Sequence, residues 1–379
     1  MADGANEREL KREAASFAAE PGSDVSAARE KGAPPKIGAE PPLPGGAAAP
    51  GWDASGTAAA EAARPDAASG GPSETGAPAE GGASAFRSGF VAIIGRPNVG
   101  KSTLLNAFLG AKVAIVSPKP QTTRNRIRGV LTEARGQIIF IDTPGIHRPR
   151  TELGRRMVDY AYGTLREVDA VLVVMDASAG IRPEDREIVA RLPRERERVY
   201  LLINKVDLVR KADLLPLLEE ARTLYPFREF IPVSAVTGEN LRSVLDVLFR
   251  DLPEGPAFYP PDMRSDHPET FVAQEIIREK ILHLTEEEVP HSVAVVVEGW
   301  EEKPDIIVVR ATIVVERASQ KGILIGKGGR MLKEIGRLAR EELEAIFGTR
   351  FYLELWVKVR EDWRNRPGLL HHLGYRREP

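Results

Sequence analysis

The sequence predicts a doubly wound α/β domain with a mostly parallel sheet, followed by a small α+β domain and preceded by a disordered tail. Three observations predict it. Residues 1–85 nearly lack bulky apolar side chains. From Phe90 to about Arg250, short β-branched runs alternate with amphipathic segments, as in a parallel sheet covered on both faces. Beyond a proline-rich stretch at 251–268 the order changes to helix, strand, strand, glycine-rich loop, helix, strand.

The tail, 1–85, holds 25 Ala, 13 Gly and 10 Pro, and only Leu10, Phe17, Val25, Ile37 and Leu43 as larger aliphatic or Phe side chains. So little apolar surface cannot offset the entropy of ordering the chain. Its 7 basic and 13 acidic residues give −6. That acidity argues against an organelle transit peptide, and the missing apolar core argues against a signal peptide. A weak helix is expected near Glu7–Ala19. The whole chain carries −2, so residues 86–379 carry −2 − (−6) = +4. There is no cysteine, which excludes a disulfide scaffold, a thiolate nucleophile and a Cys-ligated metal. Six histidines are too dispersed for a zinc site. No apolar run approaches the ~20 residues of a membrane span.

In the first domain (86–252), strands are expected at Phe90–Ile94, Gln137–Asp142, Ala170–Asp176, Val199–Lys205 and Phe230–Ser234. Helices are expected near 101–109, 151–163, 183–192, 213–225 and 240–250. Pro253, Pro256, Pro260, Pro261 and Pro268 interrupt helix and sheet alike, which makes 253–268 a linker. The second domain (269–379) reads as helix 270–284, strands 291–299 and 306–316, helix 330–347 and strand 351–359.

Gly95-Arg96-Pro97-Asn98-Val99-Gly100-Lys101-Ser102 fits G-x-x-x-x-G-K-[ST] between a predicted strand and a helix. Its glycines let backbone N–H groups wrap a phosphate chain, and the helix N-terminus adds attraction for anions. Lys101 would reach the β- and γ-phosphates, and Ser102 would ligate Mg²⁺. Asp142-Thr143-Pro144-Gly145 ends the next apolar strand; its carboxylate can hold the Mg²⁺ through water, and the Gly145 N–H can contact the γ-phosphate. In Asn204-Lys205-Val206-Asp207 the carboxylate can accept both N1–H and N2–H of guanine, a donor pair that adenine lacks. Asn204 would contact the base and tie down the phosphate loop, and the Lys205 stem can cover the base. Ser234-Ala235 can bring a backbone N–H near guanine O6. In Gln121-Thr122-Thr123-Arg124-Asn125 a threonine could complete the metal shell when a γ-phosphate is present, with Thr123 favoured over Thr122.

Together these motifs resemble the five sequence blocks of translation-factor-class GTPases, in the branch containing Era, EngA and TrmE. The resemblance implies binding of GTP and GDP with Mg²⁺, and hydrolysis of GTP. Where many such GTPases place a water-positioning Gln, this chain has Ile146, which implies slow intrinsic hydrolysis unless another element helps. Asn98 is one candidate, since an Asn here helps related GTPases to bind K⁺; the plain alternative is a loop-turn residue. Lys101, Asn98 and Thr123 are thus the expected catalytic set.

In the second domain, Ile325-Gly326-Lys327-Gly328-Gly329 contains G-x-x-G. Without Cβ atoms the loop lets a nucleic-acid backbone approach, as in the KH clamp for single strands. Lys321, Lys327, Arg330 and Lys333 cluster here, while residues 270–379 balance 18 basic against 18 acidic residues. Lys321, Gly326, Lys327, Gly328, Gly329 and Arg330 are the expected RNA-binding set. The element order fits a type II KH domain. One GTPase domain followed by one such domain resembles the Era family over about residues 88–376. Supporting runs are Glu275-Ile-Ile-Arg-Glu-Lys280, Gly322-Ile-Leu-Ile-Gly-Lys-Gly-Gly329, Leu353-Glu-Leu-Trp-Val-Lys358 and Leu373-Gly-Tyr375. EngA would need a second phosphate loop, and TrmE a different N-terminal domain. The basic C-terminal tail from Lys358 could touch RNA, touch a membrane surface, or be a solvated end. Trp356 is read as core rather than as a base-stacking residue.

The resemblance implies small-subunit ribosomal RNA and the assembling small ribosomal subunit as partners, and a monomer in the cytoplasm with possible peripheral contact to the cytoplasmic face of the cell membrane. Two rival readings remain. One is a nucleotide-gated RNA-binding adaptor with negligible hydrolysis. The other is a membrane-associated signalling GTPase, weakened by the lack of a lipidation motif or a strong amphipathic basic helix.

Overall fold

The computed structural model describes residues 85–376. The tail assigned to 1–85, with its weak helix, lies outside them apart from Ala85. The first domain runs β1 (Arg87–Ile94), α1 (Lys101–Leu109), β2 (Ile127–Glu133), β3 (Gly136–Asp142), α2 (Glu152–Thr164), β4 (Ala170–Asp176), α3 (Pro183–Ala190), β5 (Val199–Asn204), α4 (Lys211–Arg222), β6 (Glu229–Pro232) and α5 (Leu241–Asp251). The strand order is β2-β3-β1-β4-β5-β6, parallel except for the β2–β3 pair.

Every residue of β3, β4 and β5 is buried, which is why these strands read as unbroken apolar runs. Alternate residues feed two cores. Val91 and Ile93 pack with Leu104, Leu105, Leu248 and Phe249 of α1 and α5. Ala92 and Ile94 face the other way, with Ala161, Ile188 and Ala221 of α2, α3 and α4. Each large aliphatic side chain so buried contributes roughly 1.5–3 kcal/mol before entropy is counted.

The sequence reading missed β2. It is an edge strand with Arg128 exposed and Gly129 in its middle. The glycine is there for packing: an added Cβ would come within 2.8 Å of the Leu105 side chain. A glycine and an exposed charge erase the apolar run that marks a strand.

The linker lacks regular structure, as its prolines predict, yet it is strapped to the sheet. The Pro253 carbonyl accepts from the Ser88 N–H at 3.1 Å, and the Arg264 carbonyl accepts from the Val130 N–H at 2.9 Å on the outer edge of β2. Between them the buried Gln137 amide oxygen accepts from the N–H groups of Phe258 and Tyr259 at 2.7 and 2.9 Å.

The second domain runs α6 (Glu269–Leu284), α7 (Val289–Ser292), β7 (Ala294–Lys303), β8 (Ile306–Val315), α8 (Ala318–Ile325), α9 (Arg330–Phe347), β9 (Arg350–Val359) and α10 (Pro367–His372). β8 is central, antiparallel to β7 and parallel to β9. α6, α8 and α9 cover one sheet face around Ile277, Ile313, Leu324 and Ile335. The helix α8, just before the G-x-x-G loop, is absent from the sequence reading of this domain. Trp356 is half-buried.

The C-terminal segment is not a solvated end through Tyr375. Trp363, Leu369, Leu370, Leu373 and Tyr375 are buried with Leu153 and Met157 of α2. The basic residues between them hid this apolar anchor in the sequence. Among the described residues no helix is long and apolar enough to cross a membrane.

Candidate nucleotide site and nucleic-acid loop

The nucleotide motifs all leave the carboxyl edge of the sheet, where ligands bind in doubly wound folds. Gly100 opens α1 with φ +98, and a Cβ there would run into the Asn204 amide nitrogen. That amide donates to the Val99 carbonyl at 2.8 Å, and its oxygen accepts from the Ala235 N–H at 3.0 Å. Asn204 therefore ties the phosphate loop to the last loop, as expected. Of the two N–H groups that Ser234-Ala235 could bring to guanine O6, that of Ala235 is engaged by this tie.

Lys101 is buried, and its Nζ donates to the Arg96 carbonyl at 2.9 Å. Burial lowers its pKa to about 8, opposed by the neighbouring Asp142 carboxylate. An anionic phosphate chain would supply the missing counter-charge.

Behind Lys101 three oxygens converge. Ser102 Oγ donates to Asp142 Oδ2 at 2.6 Å and lies 2.8 Å from Thr123 Oγ1, which donates to the same Oδ2 at 3.2 Å. Asp142 Oδ1 is buried with no partner. Burial pushes the carboxyl pKa up, with Lys101 and both hydroxyls opposing. Such a set of hard oxygen donors fits Mg²⁺. Thr122 turns away and donates to the Lys119 carbonyl at 2.7 Å, so geometry favours Thr123 of the two.

Arg96 belongs to the loop by its backbone, while its guanidinium turns away from the pocket to Asp185 Oδ2 at 3.2 Å. Asn98 has φ +63, and its side-chain amide donates to the Pro118 carbonyl at 2.8 Å, linking the phosphate loop to the 111–126 segment. The Lys205 ammonium is held by Asp176 Oδ2 at 2.7 Å and the Asn98 carbonyl at 2.8 Å. Asp207 is exposed, with Oδ1 accepting from Ser234 Oγ at 2.6 Å. Val206 is buried.

Thr143 donates to the Ile93 carbonyl at 2.8 Å, and a Cβ on Gly145 would lie 2.8 Å from Pro97. Thus Gly145 passes directly against Pro97 of the phosphate loop. Ile146 packs into the core beside α2, and its N–H donates to the Gly95 carbonyl at 3.1 Å. The next residue does something the sequence reading missed. His147 Nδ1 is 2.8 Å from the Gly145 carbonyl, which assigns the proton to Nδ1; Nε2 then accepts from Gln121 Nε2 at 2.9 Å. This bridge closes the two loops across the pocket, which Gln121 lines with Gly100, Lys101, Ser102, Thr123 and Gly145.

The sequence reading gave no role to two buried arginines. Arg124 donates to the Val293 and Pro290 carbonyls at 2.6 and 3.1 Å. Arg278 of α6 donates to the Thr122 carbonyl at 2.5 Å and pairs with Glu275. Both lie in runs already quoted from the sequence, Gln121–Asn125 and Glu275–Lys280, but nothing in those runs shows which distant groups the two guanidiniums meet.

The G-x-x-G loop joins α8 to α9. Gly326, Gly328 and Gly329 have φ +67, +64 and +77, which explains three glycines in four residues. Lys327, Gly328 and Arg330 are exposed, whereas Gly329 is buried and Lys321 is half-buried one turn back on α8. An added Cβ on Gly328 would meet nothing within 4 Å. At Gly328 the loop thus presents an open, exposed surface between the exposed Lys327 and Arg330.

Residues 90–205 match the family model described as 50S ribosome-binding GTPase, and residues 288–364 match the KH domain model. Two solved structures align with most of the chain. A point variant of Aquifex aeolicus Era bound to GDP.AlF4- is 45% identical, with a TM-score of 0.74 over 77% of this chain and 100% of that one. Era in complex with MgGDPNP and nucleotides 1506-1542 of 16S ribosomal RNA is 45% identical, with a TM-score of 0.75 over 77% of this chain and 99% of that one.

Proposed function

The chain belongs to the Era family of GTPases, and on that premise we propose that it hydrolyses GTP with Mg²⁺ and binds small-subunit ribosomal RNA through its KH domain, in assembly of the small ribosomal subunit. The reading takes it to act as a monomer in the cytoplasm. The observation that carries the enzymatic part is the convergence of Ser102 Oγ, Thr123 Oγ1 and Asp142 Oδ2, with a second Asp142 oxygen buried and free.

Ser102 and Thr123 would ligate the Mg²⁺, and Asp142 would hold it through water. Bound there, the metal supplies positive charge to the β- and γ-phosphate oxygens. The Gly95–Gly100 backbone cradles the phosphates, and Lys101 adds charge where the bond to the leaving GDP breaks. Asp207 selects guanine by accepting from N1–H and N2–H. Asn204 holds the base loop and the phosphate loop in register. Water attacks the γ-phosphorus, and GDP and inorganic phosphate leave. Ile146 is committed to the core, so it cannot orient that water. Asn98, at the rim, is the residue we assign to a K⁺ that offsets charge developing in the transition state.

On the other domain, Lys327 and Arg330 meet RNA phosphates while the Gly326–Gly329 backbone lets the strand approach, with Lys321 behind the loop. The test is multiple-turnover GTP hydrolysis in K⁺ and then in Na⁺, each with and without a single-stranded segment from the 3′ end of small-subunit ribosomal RNA. The reading expects turnover that rises with K⁺ and with RNA. Turnover indistinguishable from buffer in all four conditions would leave a nucleotide-gated RNA adaptor in its place.

A further inference from the structure

We propose that Arg278, a residue of the KH domain, is a positioning residue of the GTPase site: it grips the Thr122 carbonyl and thereby sets the Thr123 hydroxyl against Ser102 and Asp142. The inference rests on the reading of that oxygen cluster as the metal site.

The Arg278 side chain is fully buried on α6. Its Nε and Nη2 form a fork on Glu275, at 2.9 and 2.5 Å, and the same Nη2 donates to the Thr122 carbonyl at 2.5 Å. Spacing of i, i+3 puts both side chains on one helix face, so Glu275 aims the guanidinium. The grip falls on the peptide group that joins Thr122 to Thr123. That group is planar, so holding its oxygen sets the plane from which Thr123 departs. On the far side of Thr123, Arg124 is sunk into the second domain on the Val293 and Pro290 carbonyls. Thr123 is thus strung between two anchors on the KH domain. Neither anchor touches the nucleotide pocket.

Stability alone is a poor account of Arg278. Burying an ion pair costs desolvation that its Coulomb attraction often fails to recover, and apolar replacements are frequently as stable. The Nη1 of Arg278 is buried with no partner, which adds to that cost. What an apolar residue could not supply is a directed donor for the Thr122 carbonyl.

The test uses the full-length protein. Affinities for a fluorescent non-hydrolysable GTP analogue and for fluorescent GDP are measured across a Mg²⁺ titration, beside kcat and melting temperature. Arg278→Met should weaken the analogue in saturating Mg²⁺ by about tenfold and lower kcat by a similar factor. GDP affinity, which does not need Thr123, should stay within about twofold. Arg278→Lys keeps the charge without the fork and should fall between the two. Equal losses for analogue and GDP with a lowered melting temperature would reduce Arg278 to a structural residue and overturn the proposal. So would no change in either. If Arg278→Met does not fold, Glu275→Gln keeps the guanidinium but loosens its aim, and should weaken the analogue selectively by about threefold; an unchanged analogue affinity there would overturn the proposal too. Thr123→Ala separates the two levels. If it leaves analogue binding and its Mg²⁺ dependence intact, the metal reading fails. If it abolishes the preference for the analogue while Arg278→Met does not, only the positioning role fails.

Discussion

Arg124 donates to the Val293 carbonyl from 2.6 Å away, and the two residues are 169 positions apart in the chain. Arg124 is the immediate neighbour of Thr123, and Val293 stands just before the first strand of the KH domain. A change in the 111–126 segment therefore has a mechanical path into the KH domain that does not use the linker. RNA affinity should differ between the GTP-analogue and GDP states, and RNA should shift GTP affinity by the same factor, typically about 5–150-fold. Calorimetric titration of single-stranded ribosomal RNA into both states measures it. In Arg124→Met, which leaves the Arg278 contact to the Thr122 carbonyl in place, the ratio should shrink with each site still binding its ligand. Identical affinities in the unsubstituted protein would mean two independent modules.

Guanine selection should depend on Asp207. Its carboxylate is exposed and already accepts from Ser234. In Asp207→Asn one acceptor becomes a donor facing a donor, and guanine nucleotides should bind more weakly by roughly 1–3 kcal/mol. Competition of GTP and ATP for the site checks the premise, since equal affinities in the unsubstituted protein would remove it.

Nucleotide affinity should fall in alkaline solution. Burial lowers the Lys101 pKa from 10.5 to about 8 in the nucleotide-free protein. Between those values the unfolded chain holds the proton that the folded one has lost, so this group's share of stability rises with pH in that window. Phosphate beside Nζ favours the charged form, so binding in the same window must take up a proton. Affinity should be flat near neutral pH and then drop by up to about tenfold per pH unit above about pH 8. Calorimetry in buffers of different ionisation enthalpy should register proton uptake at about pH 9 and none at about pH 7.

The loop assignment is open to a clean substitution. In Gly328→Asp the new side chain enters open space at φ +64, a conformation that Asp tolerates better than most residues. Folding and GTP binding should survive, and RNA binding should be lost, because the added carboxylate repels a phosphate backbone. Undiminished RNA binding would move the RNA to the basic C-terminal segment, Lys358–Arg377.

Much of this protein is readable locally. Gly95–Ser102, Asp142–Gly145, Asn204–Asp207 and Gly326–Gly329 each consist of consecutive residues at a strand or helix end, so spacing and residue type nearly define their geometry. The fully buried strands were legible for a similar reason, since a strand covered on both faces must be apolar throughout. β2 was not, because an edge strand with Gly129 packed under Leu105 carries no such run.

What only the tertiary structure decided is which residues act across distance. The sequence alone left Thr122 and Thr123 as rivals; folding turned Thr122 to the Lys119 carbonyl and Thr123 to Asp142. It set Gln121 against His147 across the pocket. It also brought Arg278 to the Thr122 carbonyl from 156 positions away. Local motifs are encoded by the bonds that join their atoms, and the sequence by itself determined those: a guanine-nucleotide loop system, a G-x-x-G loop and their order. A contact between distant side chains exists only after two domains have docked, and the free energy of docking is spread over Ile115, Met157, Trp363, Tyr375 and many other apolar side chains whose pattern says that they are buried without saying against what.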